Sequence, residues 1–179
     1  MGSRVRARRV QLTDLDTIYD SVRSSLPELS EWMPWATARY SRDDAADWLA
    51  QSWLSWRRAQ AFDFIVEAPS DGRMLGMCGL SSIDLCAGQA DLGYWVRSDA
   101  VGQGYCTDAS REVAAFGFKE LGLARIRLVH AVGNIGSQRV AEKVGFQREG
   151  HLRSRILLHG RRVDALLYSL VSDLVSSDP

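Results

Sequence analysis

The stretch Val101-Gly102-Gln103-Gly104-Tyr105-Cys106-Thr107 decides how this chain is read. Before it lies an alternating run, Gln89 to Val96, and after it a segment whose spacing predicts a helix from Asp108 to Leu121, closed by Gly122. A strand therefore passes into a helix through two glycines. Glycine lets the backbone turn tightly and lets a ligand approach it closely. The free N–H groups of the helix's first turn, with the helix dipole, then form an anion site for which a pyrophosphate is the natural guest. The dinucleotide fingerprint does not fit, because Thr107 stands at its third glycine and the preceding strands read as hairpins. The P-loop does not fit either, because no Lys follows the second glycine. A lone G-x-G suits a tight turn that binds nothing just as well, so its neighbours must decide.

Upstream, Phe62, Phe64 and Val66 alternate as in a strand, Asp71-Gly72 signals a hairpin, and Met74 to Ile83 returns as the second strand. Further back, Arg4 to Leu12 reads as a first strand, and Thr13 caps a helix to about Ser24 with Asp14 and Asp16 in its first turn. Leu26 to Tyr40, rich in Trp and Pro, reads as irregular or briefly helical. Ser41 caps a helix with the stripe Ala45, Trp48, Leu49, Ser52, Trp56. Downstream, Arg125 to Ala131 is a strand with Ile126, Leu128 and His130 on one face. Ile135 to Val144 is a helix closed by Gly145, and Phe146 to Ile156 and Arg161 to Leu170 are strands around a turn at Gly160. This order predicts an α+β protein, a mixed sheet with helices packed on it.

Composition narrows the classes. A chain of 179 residues fits one domain, and 46% apolar content argues against disorder. Lys+Arg and Asp+Glu are both 22, so there is no basic excess of the kind a nucleic-acid binder carries. Cys78, Cys86 and Cys106 form no CxxC pair, and His130, His151 and His159 are dispersed, so no metal site is expected and a reducing compartment is. No apolar run approaches the ~20 residues needed to cross a bilayer. The basic N-terminus, Met1 to Arg9, lacks the apolar core of a secretory signal. A cytoplasmic protein with neither nucleic acid nor membrane as partner is expected; the oligomeric state stays open, a homodimer included.

Three further stretches give the loop its meaning. Leu92-Gly93-Tyr94-Trp95-Val96 precedes it; Asn134-Ile135-Gly136-Ser137-Gln138-Arg139-Val140-Ala141-Glu142-Lys143-Val144-Gly145-Phe146 follows it. Together they resemble the GNAT superfamily of acetyltransferases. Glu31-Trp32-Met33-Pro34-Trp35 and Glu149-Gly150-His151-Leu152-Arg153 look like the branch that holds the bacterial ribosomal-protein N-terminal acetyltransferases. The resemblance runs from about Arg4 to Leu174. It implies the GNAT fold, a mixed, mostly antiparallel twisted sheet with helices on both faces. It also implies acetyl-coenzyme A as co-substrate and an amine as acceptor, a protein N-terminal amine by likeness to the branch. Alternatives are a small-molecule amine, such as an aminoglycoside or polyamine, and a module that senses acyl-coenzyme A without turnover.

Carried over residue by residue, the resemblance has the strand Leu92 to Val96 splay from its neighbour at a bulge, so that pantetheine bonds backbone near Trp95 and Val96. Gln103, Gly104, Tyr105, Cys106 and Thr107 hold the pyrophosphate through main-chain N–H groups. Asn134 steadies the pantetheine, and Ser137 lies near the coenzyme sulfur. A strand N–H near Tyr94 is the candidate oxyanion donor. There are departures: Val101 stands where Arg or Gln is usual, and Cys106 where Ala or Gly is usual. Ala141 lies near the place of a Tyr that protonates the leaving thiolate in many members, which leaves Ser137 as the candidate in that segment.

Several residues carry two readings. Ser137 either contacts the coenzyme or bonds its own helix start, and Asn134 either contacts it or caps the helix. Arg139 and Lys143 either meet the nucleotide phosphate or form a solvated face. Trp32 and Trp35 either wall an acceptor pocket or pack in the core. Trp48, Trp53 and Trp56 read as packing, His130 as a core histidine, and Cys106 as a small residue in a tight loop.

Overall fold

The structure, a computed structural model, describes residues 3–172; Leu174, where the resemblance ends, lies outside them. The elements in chain order are β1 (Arg6–Arg9), α1 (Leu15–Ser24), α2 (Leu26–Trp32), α3 (Arg42–Arg57), β2 (Phe62–Glu67), β3 (Met74–Asp84), β4 (Gln89–Val96), α4 (Tyr105–Glu120), β5 (Arg125–Ala131), α5 (Ile135–Val144), β6 (Gln147–Leu158) and β7 (Arg161–Val171). Among the described residues no helix is long and apolar enough to cross a membrane.

Local chemistry sets the boundaries. Ser41 Oγ accepts the Asp44 N–H while the Asp44 carboxylate accepts the Ser41 N–H at 2.8 Å, a capping box that starts α3. The first helix departs from expectation. A 3-10 turn, Leu12–Asp14, precedes it, and Asp14 rather than Thr13 takes the capping role by accepting the Gln11 N–H at 2.7 Å. Asp14 is drawn inward because it also receives two bonds from Arg8, which reaches Glu67 on β2 as well. The β6–β7 turn places His159 and Gly160 at φ 50 and 73, a left-handed pair whose twist suits a two-residue hairpin.

The strands form one sheet in the order β1-β2-β3-β4-β5-β7-β6. Every neighbouring pair is antiparallel except β4 and β5, which α4 connects as a parallel crossover. Ile65, Met77 and Trp95 face α1, α2 and α3, meeting Ile18, Val22, Leu29 and Leu49. Phe64, Cys78 and Leu80 face the opposite way, toward Ala109 and Val113 of α4. Helices thus cover both faces, as the resemblance implies.

The parallel pair is short. Gln89, Ala90 and Asp91 meet Arg125, Ile126 and Arg127, and the pairing stops there. Beyond it β4 follows β3 to Val96 while β5 follows β7 to Ala131, so the two strands diverge. The expected bulge is not where the resemblance implies it. The β3–β4 register runs unbroken from Leu92 to Val96, and its irregularity lies between Ser81 and Asp84. β5 keeps its pairing to β7 along its whole length on the other side.

Candidate active site

The divergence of β4 and β5 opens a cavity of about 1280 Å³. Leu92 to Val96 form one wall and Leu128 to Ala131 the other, with the glycine loop and α5 at one end. Beyond Asp91, the β4 main-chain groups that turn away from β3 have no strand partner, so a ligand in the gap can bond them.

At the loop end, α4 starts at Tyr105, three residues before the expected Asp108, so Tyr105, Cys106 and Thr107 form the first helical turn. Gly104 is the N-cap at φ 83, a left-handed conformation that favours glycine. Asp108 N–H already bonds the Gly104 carbonyl at 3.1 Å, which leaves the donors before it free. A second hollow of about 240 Å³ lies there, lined by Gly102, Gln103, Gly104 and Thr107 with three cations, Arg4, Arg111 and Lys143. Arg4 lies across the loop, donating to the Gln103 carbonyl at 2.9 Å and to Asp108 at 2.8 Å. Arg111 donates to the Lys143 carbonyl, tying α4 to α5. Arg4 and Arg111 escaped the sequence reading, since nothing in the sequence ties Arg4 to a loop 99 residues later. Burial pushes the Cys106 thiol up to about 12, which keeps it protonated.

Where the strands part, Tyr94 Oη lies 2.8 Å from Ser137 Oγ and 3.3 Å from the Ser137 carbonyl oxygen. The phenol is largely buried, which pushes its pKa well above the usual tyrosine range and keeps it protonated. Asn134 Oδ1 accepts the Ser137 N–H at 3.0 Å, so the capping reading holds; its amide N–H₂ remains a donor. The phenol's link to Ser137 leaves no local signal in the sequence, because it joins β4 to α5 across 43 residues.

Further out, Trp32, Trp35, Trp48 and Tyr40 line the same cavity with Glu28 and Glu31. Trp35 is 45% exposed and Trp32 half-buried, and neither belongs to the core clusters. Trp48 and Trp53 correct the packing expectation: both are exposed, because the buried face of α3 is Ala45, Leu49 and Ser52. Trp56 does pack, against Phe62, Phe64 and Phe116. Arg139 and Lys143 also line the cavity. His130 is buried as expected, 3.0 Å from the Ala131 carbonyl and stacked on Tyr168. His151 pairs with Asp164 at 3.0 Å. Among the described residues no cluster of His, Cys, Asp and Glu is placed to hold a metal.

An anion-binding helix start, a parted parallel pair and a hydroxyl dyad at the parting describe a slot for a long phosphate-bearing thioester. A family model described as an acetyltransferase (GNAT) domain matches residues 4–147. The chain belongs to the GNAT acetyltransferase family. It is an N-acetyltransferase with acetyl-coenzyme A as donor. It is 29% identical over 173 residues to YdaF of Bacillus subtilis, described as a candidate ribosomal N-acetyltransferase, covering 96% of this chain and 93% of that one. Among solved structures it resembles RimL, a ribosomal L7/L12 α-N-protein acetyltransferase in complex with coenzyme A, with TM-score 0.90 at 19% identity, covering 96% of each chain. It also resembles the microcin C7 self-immunity acetyltransferase MccE in complex with acetyl-CoA and AMP, with TM-score 0.88 at 21% identity, covering 96% of this chain and 94% of that one. At these identities the two structures speak to the fold.

Proposed function

We propose that this acetyltransferase acts in the cytoplasm on a protein N-terminal α-amine. The observation that carries this reading is the breadth of the acceptor side. The cavity between the parted strands is lined as well by Trp32 and Trp35, with Glu28 and Glu31. Indole walls suit a peptide backbone, and carboxylates at the rim favour an approaching ammonium. The likeness to YdaF points the same way.

In this reading the donor occupies the gap between β4 and β5. Backbone N–H groups of Gln103 to Thr107 bind its pyrophosphate, and Arg139 and Lys143 face its nucleotide end. Trp95 and Val96 offer main-chain groups to the pantetheine, and Asn134 offers its amide N–H₂. The donor supplies an activated thioester carbonyl. A main-chain N–H near Tyr94 meets the oxygen as charge develops.

In this reading Tyr94 and Ser137 divide the work, and the direction of the bond between them matters, since either oxygen can donate. Tyr94 carries one proton and has two acceptors in reach, Ser137 Oγ at 2.8 Å and the Ser137 carbonyl at 3.3 Å. Given to Oγ, the closer one, it leaves the Ser137 proton free to meet the departing sulfur. Ser137 is the group that meets the sulfur, and Tyr94 positions it in place of the Tyr that Ala141 does not provide. The test is a thiol-release assay with N-terminal peptides, aminoglycosides and polyamines as acceptors. Peptide turnover well above the others is expected. Turnover confined to a polyamine or aminoglycoside would overturn the acceptor reading.

A further inference from the structure

Directly paired residues on neighbouring antiparallel strands share a face. On the face under α1, α2 and α3, one such row is Ile65, Met77 and Trp95, which fills the core. Two residues along, the next row is Asp63, Gly79 and Gly93. Only Asp63 in that row has a side chain, so a trough crosses β3 and β4, with the Asp63 carboxylate over Gly79 and bare space over Gly93, and ends where β4 parts from β5. With strands about 4.8 Å apart, it is about 10 Å long.

The two glycines differ. A Cβ on Gly79 would lie 2.8 Å from Asp63 Oδ1, so the carboxylate leans over Gly79 toward β4. A Cβ on Gly93 would meet nothing within 4 Å, so packing gives no reason for a glycine there. All three residues line the cavity. Ser52 of α3 donates to Asp63 Oδ2 at 2.7 Å. Among the described residues no cation pairs with Asp63, and Oδ1 accepts no side-chain bond. The groups around the carboxylate are the Ser52 hydroxyl, the bare Gly79 and, across the sheet, the Cys78 thiol. The carboxylates Glu28 and Asp44, which also line the cavity, are held low by Ser98 and Ser41 respectively, whereas burial pushes Asp63 up.

We infer that the Asp63–Gly79–Gly93 trough is the subsite for the acceptor's primary ammonium, and that Asp63 Oδ1 binds it and takes its proton. The inference rests on the reading of an amine acceptor. The ammonium gives one proton to Asp63, and the freed lone pair forms the C–N bond to the acetyl carbon as the C–S bond breaks. The nitrogen then loses a second proton, matched by the one the sulfur gains. The products are the amide, the coenzyme thiol and one proton that Asp63 passes to water. Tyr94, next to Gly93, points to the opposite face, so the amine enters from one side of the sheet while the leaving sulfur is served from the other.

The test uses Asp63→Asn, which keeps an acceptor for the Ser52 hydroxyl, and Gly93→Ala, which meets nothing in the fold. Asp63→Asn is expected to lower kcat/KM for a peptide acceptor about a hundredfold at neutral pH. Its acetyl-coenzyme A affinity should stay unchanged in calorimetry, and the defect should shrink for hydroxylamine, which is largely unprotonated at neutral pH. With coenzyme A bound, calorimetry should also show weaker peptide binding to Asp63→Asn. Gly93→Ala is expected to raise the acceptor KM several-fold. Wild-type kcat/KM and peptide affinity in Asp63→Asn would overturn the assignment. A wild-type protein that acetylates no amine would overturn both the acceptor reading and this one, whereas active wild type with an equally active Asp63→Asn would sink only the latter.

Discussion

In the reading proposed above, the donor and acceptor ends of the cavity recognise their ligands by different means. The donor end is built from backbone: a left-handed Gly104, the first turn of α4 and the unpaired edge of β4. The acceptor end is built from side chains of α2, α3, β2 and the segment after α2: Trp32, Trp35, Ser52 and Asp63. Backbone recognition depends on where the chain turns and where helices start, which glycine spacing and capping residues encode locally. Side-chain recognition depends on which residues the folded sheet sets side by side.

The contrast predicts that substitutions sort by end. The largest effect belongs at the junction. Ser137→Ala is expected to lower kcat about a hundredfold with little change in acetyl-coenzyme A affinity. Tyr94→Phe should lower kcat less, and the double variant should be no worse than Ser137→Ala alone, because both losses act through one hydroxyl. Steady-state kinetics and a double-mutant cycle check this; additive losses would break the dyad.

At the donor end, Gly104→Val places a branched side chain at φ 83, against the Arg4 guanidinium. Losing one charge-assisted bond of ~1.5–3 kcal/mol should weaken acetyl-coenzyme A binding about tenfold or more. The left-handed conformation should cost a further ~1–2 kcal/mol of stability. Calorimetry and thermal melting on the same preparation separate the two, and unchanged affinity in a folded variant would remove the loop from the site. At the acceptor end, Trp35→Ala should raise the acceptor KM a few-fold while donor affinity holds. A large fall in melting temperature with unchanged KM would instead make Trp35 part of the core.

The smallest effect concerns stability and pH. Burial raises the Asp63 pKa in the folded chain, so the folded state holds that proton more tightly than the unfolded one. Ionised Asp63 therefore costs stability above the unfolded carboxyl range, near pH ~3.9, and costs nothing below it. Asp63→Asn should melt higher than wild type at neutral pH, and the gain should vanish in acid. A lower melting temperature at neutral pH would mean that the carboxylate is structural.

The elements at the loop end of the cavity are legible in the sequence. Gly102 and Gly104, the Asn134 cap, the Gly145 stop and the strands β4 and β5 are local signals, and the structure keeps them. What the sequence does not carry is register and reach. Nothing local aligns Asp63 with Gly79 and Gly93, brings Arg4 over the loop, or points the Tyr94 phenol at Ser137. α4 starts three residues before the expected Asp108 because Gly104 is its N-cap. Asp14 replaced Thr13 as a cap because Arg8 and Glu67 draw it inward, a tertiary effect that overrides a local preference.

Hydrogen exchange with and without acetyl-coenzyme A tests most directly whether the parted strands are the donor slot. The edge of β4 beyond Asp91 and the first turn of α4 have main-chain N–H groups without partners within the sheet or helix. Peptides spanning residues 92–97 and 103–108 should slow markedly on adding the donor, while those of α3 stay as they were. Protection confined to α1, α2 or α3, with residues 92–97 exchanging at the same rate in both conditions, would contradict the account.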